Sequence, residues 1–197
     1  MLYTFSLPTK ADKVPAGPDW LHEVKYDGYR MMLIREHGRV RLISRGGHDW
    51  ARRLPLIVTA ALKLRQEHFV LDGETVVLGP DGVPDFAALH SGRHNEPAQL
   101  YAFDMLAGDG EDQRQLPLSR RKTNLARLLK RRISGVFIAE YEQAKSAGTY
   151  SASPVVWASK ALSQSAAIAP TPPANAGTGS RRRTLRIRPI AGSGTSS

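Results

Sequence analysis

The chain contains no cysteine, which removes disulfide scaffolds and thiolate metal sites from consideration and suits a reducing compartment. Its six histidines show no ligand-like spacing. No apolar run approaches the ~18 residues of a membrane-spanning helix, and there is no signal-peptide pattern. The expectation is a soluble cytoplasmic protein without a membrane partner. Acidic residues are missing from the whole stretch after Glu142. That absence explains most of the net charge of +10. All 18 Asp and Glu lie in residues 1–142 with 21 of the 28 Lys and Arg, a net +3, which leaves +7 on the last 55 residues. The basic balance therefore says little about what the folded part binds. At 197 residues the chain has room for one domain with a core, or for one domain and a tail.

What is present centres on Glu23-Val24-Lys25-Tyr26-Asp27-Gly28-Tyr29-Arg30. A lysine ends an apolar stretch, with a carboxylate two residues away on each side. A free lysine amine has a pKa of about 10.4 and is inert at neutral pH. Partial burial, or a nearby cation, makes such an amine a nucleophile. Gly28 permits a tight turn or a close approach to a ligand. Arg30 offers a planar fork to a phosphate or a hydroxyl. The same letters also read as a hairpin, because Asp-Gly between apolar-aromatic runs is a strong turn signal.

Residues 1–19, with Pro8, Pro15, Gly17 and Pro18, read as an extended lead-in. Strands are expected at 20–25, 31–35 and 39–44, together an antiparallel meander. Residues 54–68 carry apolar positions at helical spacing after Pro55 and predict a helix. Residues 69–78 read as a strand with Asp72 and Glu74 in its middle. An unpaired buried carboxylate is costly, so this pair faces either solvent or a site. Asp85 is an expected helix N-cap, and residues 90–96 an expected loop. Strands follow at 100–106 and 136–141, with a helix over 116–129 between them. The basic run of that helix is expected to form a solvated face.

Several of these segments together resemble the covalent nucleotidyltransferases, a superfamily of ATP-dependent DNA ligases, RNA ligases and mRNA capping enzymes. Lys25-Tyr-Asp-Gly-Tyr-Arg30 is similar to its first motif, Lys-x-Asp-Gly-x-Arg. Ser44-Arg45-Gly46-Gly47, Asp72-Gly73-Glu74, Asp85-Phe86-Ala87-Ala88-Leu89, the Phe103 strand and Pro117-Leu118-Ser119-Arg120-Arg121-Lys122 follow in the family's order. The text is most similar to the bacterial end-joining DNA ligases, and the resemblance covers residues 15–142. It implies an α+β fold, the ATP-grasp-like nucleotidyltransferase domain, with antiparallel sheets cradling the nucleotide. It also implies that Lys25 attacks the α-phosphate of ATP, releasing pyrophosphate and leaving a lysine-AMP. AMP then passes to the 5′-phosphate of a nick, and the 3′-hydroxyl displaces it. Arg30 and Glu74 would grip the ribose, and Arg45 a ribose or phosphate. Phe103 would stack on adenine with Asp104 nearby, and Glu23 would lie against the base edge. Mg2+ would neutralise the phosphates, with Glu74 a candidate ligand. The implied partners are nicked or broken double-stranded DNA and DNA-end-binding repair proteins, and the implied state is a nucleoid-associated monomer. An RNA ligase or capping enzyme shares the first motif. A different class, a non-catalytic protein binding nucleic acid through its arginine-rich tail, also fits the composition.

The expected domain plan is a lead-in over 1–14, the adenylyltransferase domain over 15–142, and a basic low-complexity tail over 143–197. That tail reads as disordered. It lacks the family's Glu-Gly-Ile/Val-Val-x-Lys and Lys-x-Lys motifs, so the implied domain is incomplete and its activity impaired. With an admissible choice of codons, a one-base shift across Ala158–Ser165 spells Leu-Glu-Gly-Ile-Val-Ser-Lys. The same shift across Gly177–Thr184 spells Asp-Trp-Ile-Lys-Thr-Lys-Asn. Both missing motifs then stand in order and in one frame, which points to translation out of frame somewhere after about Gln143.

Overall fold

The structure, a computed structural model, describes residues 3–6, 9–10, 17, 20–92, 95–143, 156–161 and 186–191. Its strands are β1 (Thr9–Lys10), β2 (Trp20–Val24), β3 (Tyr29–Glu36), β4 (Arg39–Ser44), β5 (Phe69–Val76), β6 (Gln99–Gly108), β7 (Glu111–Asp112), β8 (Val136–Ile138), β9 (Tyr141–Gln143), β10 (Val156–Ala161) and β11 (Arg186–Ala191). Its α-helices are α1 (Pro55–Lys63), α2 (Phe86–Ser91) and α3 (Leu118–Leu128). One sheet runs β1-β11-β10-β2-β9. The other runs β4-β3-β5-β6-β7, with β8 beside β6. The expected α+β architecture with antiparallel sheets is borne out; among the described residues only β10/β11 and β6/β8 pair in parallel.

The second sheet carries the core. β3 reads Tyr-Arg-Met-Met-Leu-Ile-Arg-Glu, a nearly continuous apolar run, because both of its faces are covered. Met31 and Leu33 point into the larger cluster with Leu71, Leu100, Met105 and the buried faces of α1 and α3. Met32 and Ile34 point the other way, with Val70, Leu106 and, from the N-terminal segment, Tyr3 and Phe5.

Four expectations are corrected. β2 and β3 do not form a hairpin or the start of a meander: they lie in different sheets, and residues 25–28 cross between them. α1 ends at Lys63, short of residue 68, because Leu64 turns to extended backbone (φ −67°, ψ 151°). There the buried Arg35 closes the helix, its Nη1 donating to the carbonyls of Ala61, Leu64 and Gln66 at 3.0, 2.8 and 3.0 Å. His90 and Ser91 belong to α2, which Asp85 caps as expected, its Oδ1 accepting from the Ala88 amide at 2.9 Å. Residues 136–141 are two strands in two sheets. β8 adds to β6, and the chain then passes Glu140, whose carbonyl accepts from the Val24 amide, to reach β9 on β2.

Within 143–197, β10 runs antiparallel to β2, from Val156 opposite Val24 to Lys160 opposite Trp20, and β11 lies against β10. These positions are strand where an unstructured tail is expected. β9 takes one edge of β2 and β10 the other, and Val156-Trp157 is strand-favouring text. The rest of the tail and most of the lead-in lie outside the described residues. No described helix is long and apolar enough to cross a membrane.

Candidate functional site

Lys25 is half-buried and follows the last residue of β2, at the point where the chain leaves one sheet for the other. The crossover is held at both ends. Tyr26 stacks on Tyr101 of β6, centroids 4.2 Å apart and planes at 22°. Tyr101 stacks in turn on Phe137 of β8 at 5.6 Å. Burial first, then the neighbouring Tyr101 and Glu140, push the Tyr26 phenol up to about 12, against a hydrogen bond with the Glu140 backbone that lowers it. Burial and Glu140 raise Tyr101 as well. At the far end, a β-carbon on Gly28 would overlap the Thr75 carbonyl oxygen and lie 2.8 Å from a Val76 methyl. Gly28 is therefore a glycine because β5 passes against it, and not because it turns a hairpin.

The other predicted residues lie mostly on one face of the second sheet. Arg30 stands opposite Glu74 in the β3–β5 register, and Glu74 opposite Tyr101 in the β5–β6 register. Directly opposed residues in antiparallel strands share a face. Phe103, two residues along from Tyr101, joins them: the Arg30 guanidinium lies 5.4 Å from its ring centroid and 5.4 Å from that of Phe5. Asp72 has no exposure and is paired, with Arg30 Nε and Nη2 donating to Oδ1 and Oδ2 at 3.0 and 2.7 Å. Arg30 Nη1 donates to the Ser6 carbonyl at 2.8 Å. The carboxylate pair in β5 thus divides: Asp72 orients Arg30, and the half-buried Glu74 lines the face.

Arg45 follows β4, which flanks β3 on the side away from Glu74 and Phe103. It is exposed on the turn after β4, closed by the Gly47 amide donating to the Ser44 carbonyl at 2.8 Å. It borders a groove of about 480 Å³ floored by Phe5, Met32, Ile34 and Ile43. Glu23 is buried on β2 and accepts from the ammonium of Lys122 on α3. Asp104 is likewise buried and accepts from Arg121 Nε and Nη2 at 2.8 and 3.2 Å.

The α3 basic run is thus not wholly a solvated face, because Arg121 and Lys122 turn inward. The sequence does carry a signal for Lys122. It lies four residues after Leu118 and three before Leu125, on the buried stripe of the helix. Among the described residues no group of three or more His, Asp or Glu side chains could hold a metal ion. Asp72, Asp104 and Glu23 are engaged by Arg30, Arg121 and Lys122 respectively.

Residues 6–152 match the family described as the ATP dependent DNA ligase domain. The chain is 41% identical over 129 residues to the multifunctional non-homologous end joining protein LigD of Pseudomonas aeruginosa, a match covering 64% of this chain and 15% of that protein. It is 42% identical over 91 residues to the multifunctional non-homologous end joining DNA repair protein LigD of Mycobacterium tuberculosis, covering 46% of this chain and 12% of that protein. The crystal structure of the ligase domain from M. tuberculosis LigD superposes with a TM-score of 0.61 at 29% identity, over 72% of this chain and 47% of that one. A mycobacterial DNA ligase D complexed with ATP and MES superposes with a TM-score of 0.60 at 29% identity. The chain thus spans less than half of the ligase-domain structures it matches, and a small part of the full-length relatives.

Proposed function

The chain belongs to the ATP-dependent DNA ligase domain family, and from that premise we propose that residues 15–142 are an adenylation domain that loads AMP onto Lys25 for the sealing of broken DNA. The observation that carries this is one of placement. Lys25 sits half-buried at the crossover from β2, while Arg30, Glu74 and Phe103 share a face of the sheet the crossover leads to. A nucleophile and the groups that hold its substrate are best positioned by separate rigid elements.

In the step proposed, the Lys25 Nζ lone pair attacks the α-phosphorus. A P–N bond forms, the bond to the bridging oxygen breaks, and pyrophosphate departs while the amine gives up its proton. Phe103 stacks on the adenine, and Arg30 and Glu74 hold the ribose; at Glu23, whose carboxylate is sealed against Lys122, it is the strand backbone that bounds the base edge. Arg45, on its exposed turn, takes a phosphate of nucleotide or DNA. No three-ligand site exists among the described residues, so magnesium would arrive on the triphosphate, with Glu74 as one further oxygen ligand. A divalent cation there neutralises phosphate charge. The substrate is nicked double-stranded DNA: the relatives are named as DNA ligases and end-joining proteins, which favours DNA over RNA and over capping. DNA-end-binding proteins are the partners such a role requires. The stretch after about Gln143 is an out-of-frame translation, and its loss of two motifs leaves this polypeptide an impaired ligase.

The test is incubation of the purified chain with α-labelled ATP and magnesium beside Lys25→Ala. Label that survives denaturation and is missing from the variant establishes Lys25 as the acceptor. Equal label on both proteins would remove Lys25 from the chemistry.

A further inference from the structure

α3 touches both sheets through two consecutive side chains. Arg121 holds Asp104 of β6, and Lys122 holds Glu23 of β2. Successive helical residues point about 100° apart, so one turn of one helix can reach two different elements. The Lys122–Glu23 contact is buried and the Arg121–Asp104 contact partly so. The side chains of Lys122 and Glu23 are 2% and 5% exposed, those of Arg121 and Asp104 16% and 2%. The Arg121 fork is fixed further by Nη1 donating to the Leu116 carbonyl at 2.6 Å, and Lys122 Nζ also lies 4.6 Å from the Tyr141 ring centroid.

Buried ion pairs are poor as plain adhesive, because well-packed apolar residues of similar volume often hold as well. What they add is direction. Glu23 is two residues before Lys25 on β2, and Asp104 directly follows Phe103 on β6. The two anions held by α3 are therefore sequence neighbours of the proposed nucleophile and of the proposed adenine platform, on opposite sides of the crossover.

We propose that Arg121 and Lys122 are positioning residues that brace the two sheets and set the spacing between Lys25 and the nucleotide-holding face. In its catalytic part this rests on the adenylation function proposed above; in its geometric part it does not. Arg30, Glu74 and Phe103 all lie on the second sheet. Loss of the brace leaves nucleotide affinity nearly intact and misaligns the amine.

Two readouts test it on the full chain. Exposed Arg39 of β4 and Glu142 of β9 lie on different sheets, and replacing each by Cys in a chain without cysteine gives a unique spin-label pair. In Lys122→Met, and separately in Arg121→Gln, the distance distribution between the labels shifts or broadens. If Lys122→Met does not fold, Lys122→Gln, which keeps an N–H donor to Glu23, takes its place. In the same variants without labels, the first-order rate of lysine-AMP formation falls about 10–100-fold while ATP affinity stays within about threefold. A merely structural role would lower the fraction of competent protein, reducing burst amplitude and binding stoichiometry together and leaving the rate constant alone. An unchanged distance distribution overturns the brace, and an unchanged rate constant overturns its positioning role. If the unaltered chain takes no label from ATP, the adenylation function fails by itself and the distances still decide the brace.

Discussion

The Arg30 guanidinium forms a two-point pair with the fully buried carboxylate of Asp72, at 2.7 and 3.0 Å. Asp72 therefore acts on the proposed nucleotide face through Arg30. Asp72→Ala leaves a buried cation without its anion, and such a loss costs about 3–5 kcal/mol. The expected result is a lower urea midpoint at unchanged denaturant slope. A loss under about 1 kcal/mol would mean that Arg30 is held by its Ser6 and aromatic contacts instead.

Gly28 makes a second, purely steric prediction. A methyl group there overlaps the Thr75 carbonyl, and backbone cannot swing aside as a side chain can. Gly28→Ala is expected to destabilise the domain by about 3 kcal/mol or more, at or above the top of the usual range for overpacking, because the obstacle is backbone. Gly47→Ala is the control: it meets nothing within 4 Å, and its strain comes only from φ of 83°, costing about 1–2 kcal/mol. Urea unfolding of both separates crowding from backbone strain. Equal losses would place Gly28 outside the tight crossover.

Tyr26 predicts an alkaline transition. Its phenol is raised by burial, Tyr101 and Glu140 to about 12, from the 10.0 of an ordinary tyrosine. The folded state then keeps a proton that the unfolded state gives up. The stability this contributes is complete below pH 10 and is lost as pH rises from 10.0 to about 12. Unfolding free energy measured across that window should fall less steeply in Tyr26→Phe than in the parent. Identical slopes would remove Tyr26 from the buried stack.

Local chemistry was legible in the sequence where it is repeated by pattern. The apolar run of β3, the Asp85 cap and Pro55 at the first turn of α1 all act within a few residues. The same holds for the candidate site, whose residues sit within short motifs at Lys25, Asp72 and Phe103. What was not legible is which strand pairs with which. Tyr26-Asp27-Gly28 has the letters of a hairpin, and only the partners of β2 and β3 show that it spans two sheets. The inward cations were missed for the same reason: Lys122 meets Glu23 across 99 residues, and a basic helix face looks solvated until its partner strand is placed. The residues 136–141 are uniformly strand-like, and their division between two sheets is decided by neighbours alone.

Phe103→Ala tests the proposed adenine platform. Stacking of a base on an aromatic ring is worth about 1–3 kcal/mol by alanine substitution, so ATP affinity should fall about 5–150-fold. Titration calorimetry reads this directly. A truncated ring that leaves affinity unchanged would move the base elsewhere on the sheet, with Tyr101, stacked on Tyr26 at 4.2 Å, an alternative ring on the same strand.

The last prediction concerns the strand beside the nucleophile. β10 runs antiparallel to β2, with Ser159 opposite Leu21 and Lys160 opposite Trp20. In the shifted frame, the glutamate codon of Leu-Glu-Gly-Ile-Val-Ser-Lys straddles positions 159 and 160. Restoring the frame thus puts a carboxylate into the sheet that carries Lys25, and the lysines of the second shifted motif follow in the chain. These are groups that act on phosphate charge. Removing a single preorganised donor to developing charge costs about 10²–10³ in rate. The frame-restored chain should therefore form lysine-AMP at least about 10²-fold faster than the present one, with Lys25→Ala inactive in both backgrounds. Sequencing the gene supplies the independent arm: the proposed slip requires one inserted or deleted base between the codons of about Gln143 and Ala158. A single intact frame, with no gain in rate from the altered one, would make the basic tail this protein's own. The proposed adenylation would then have to proceed on Lys25, Arg30, Glu74 and Phe103 alone.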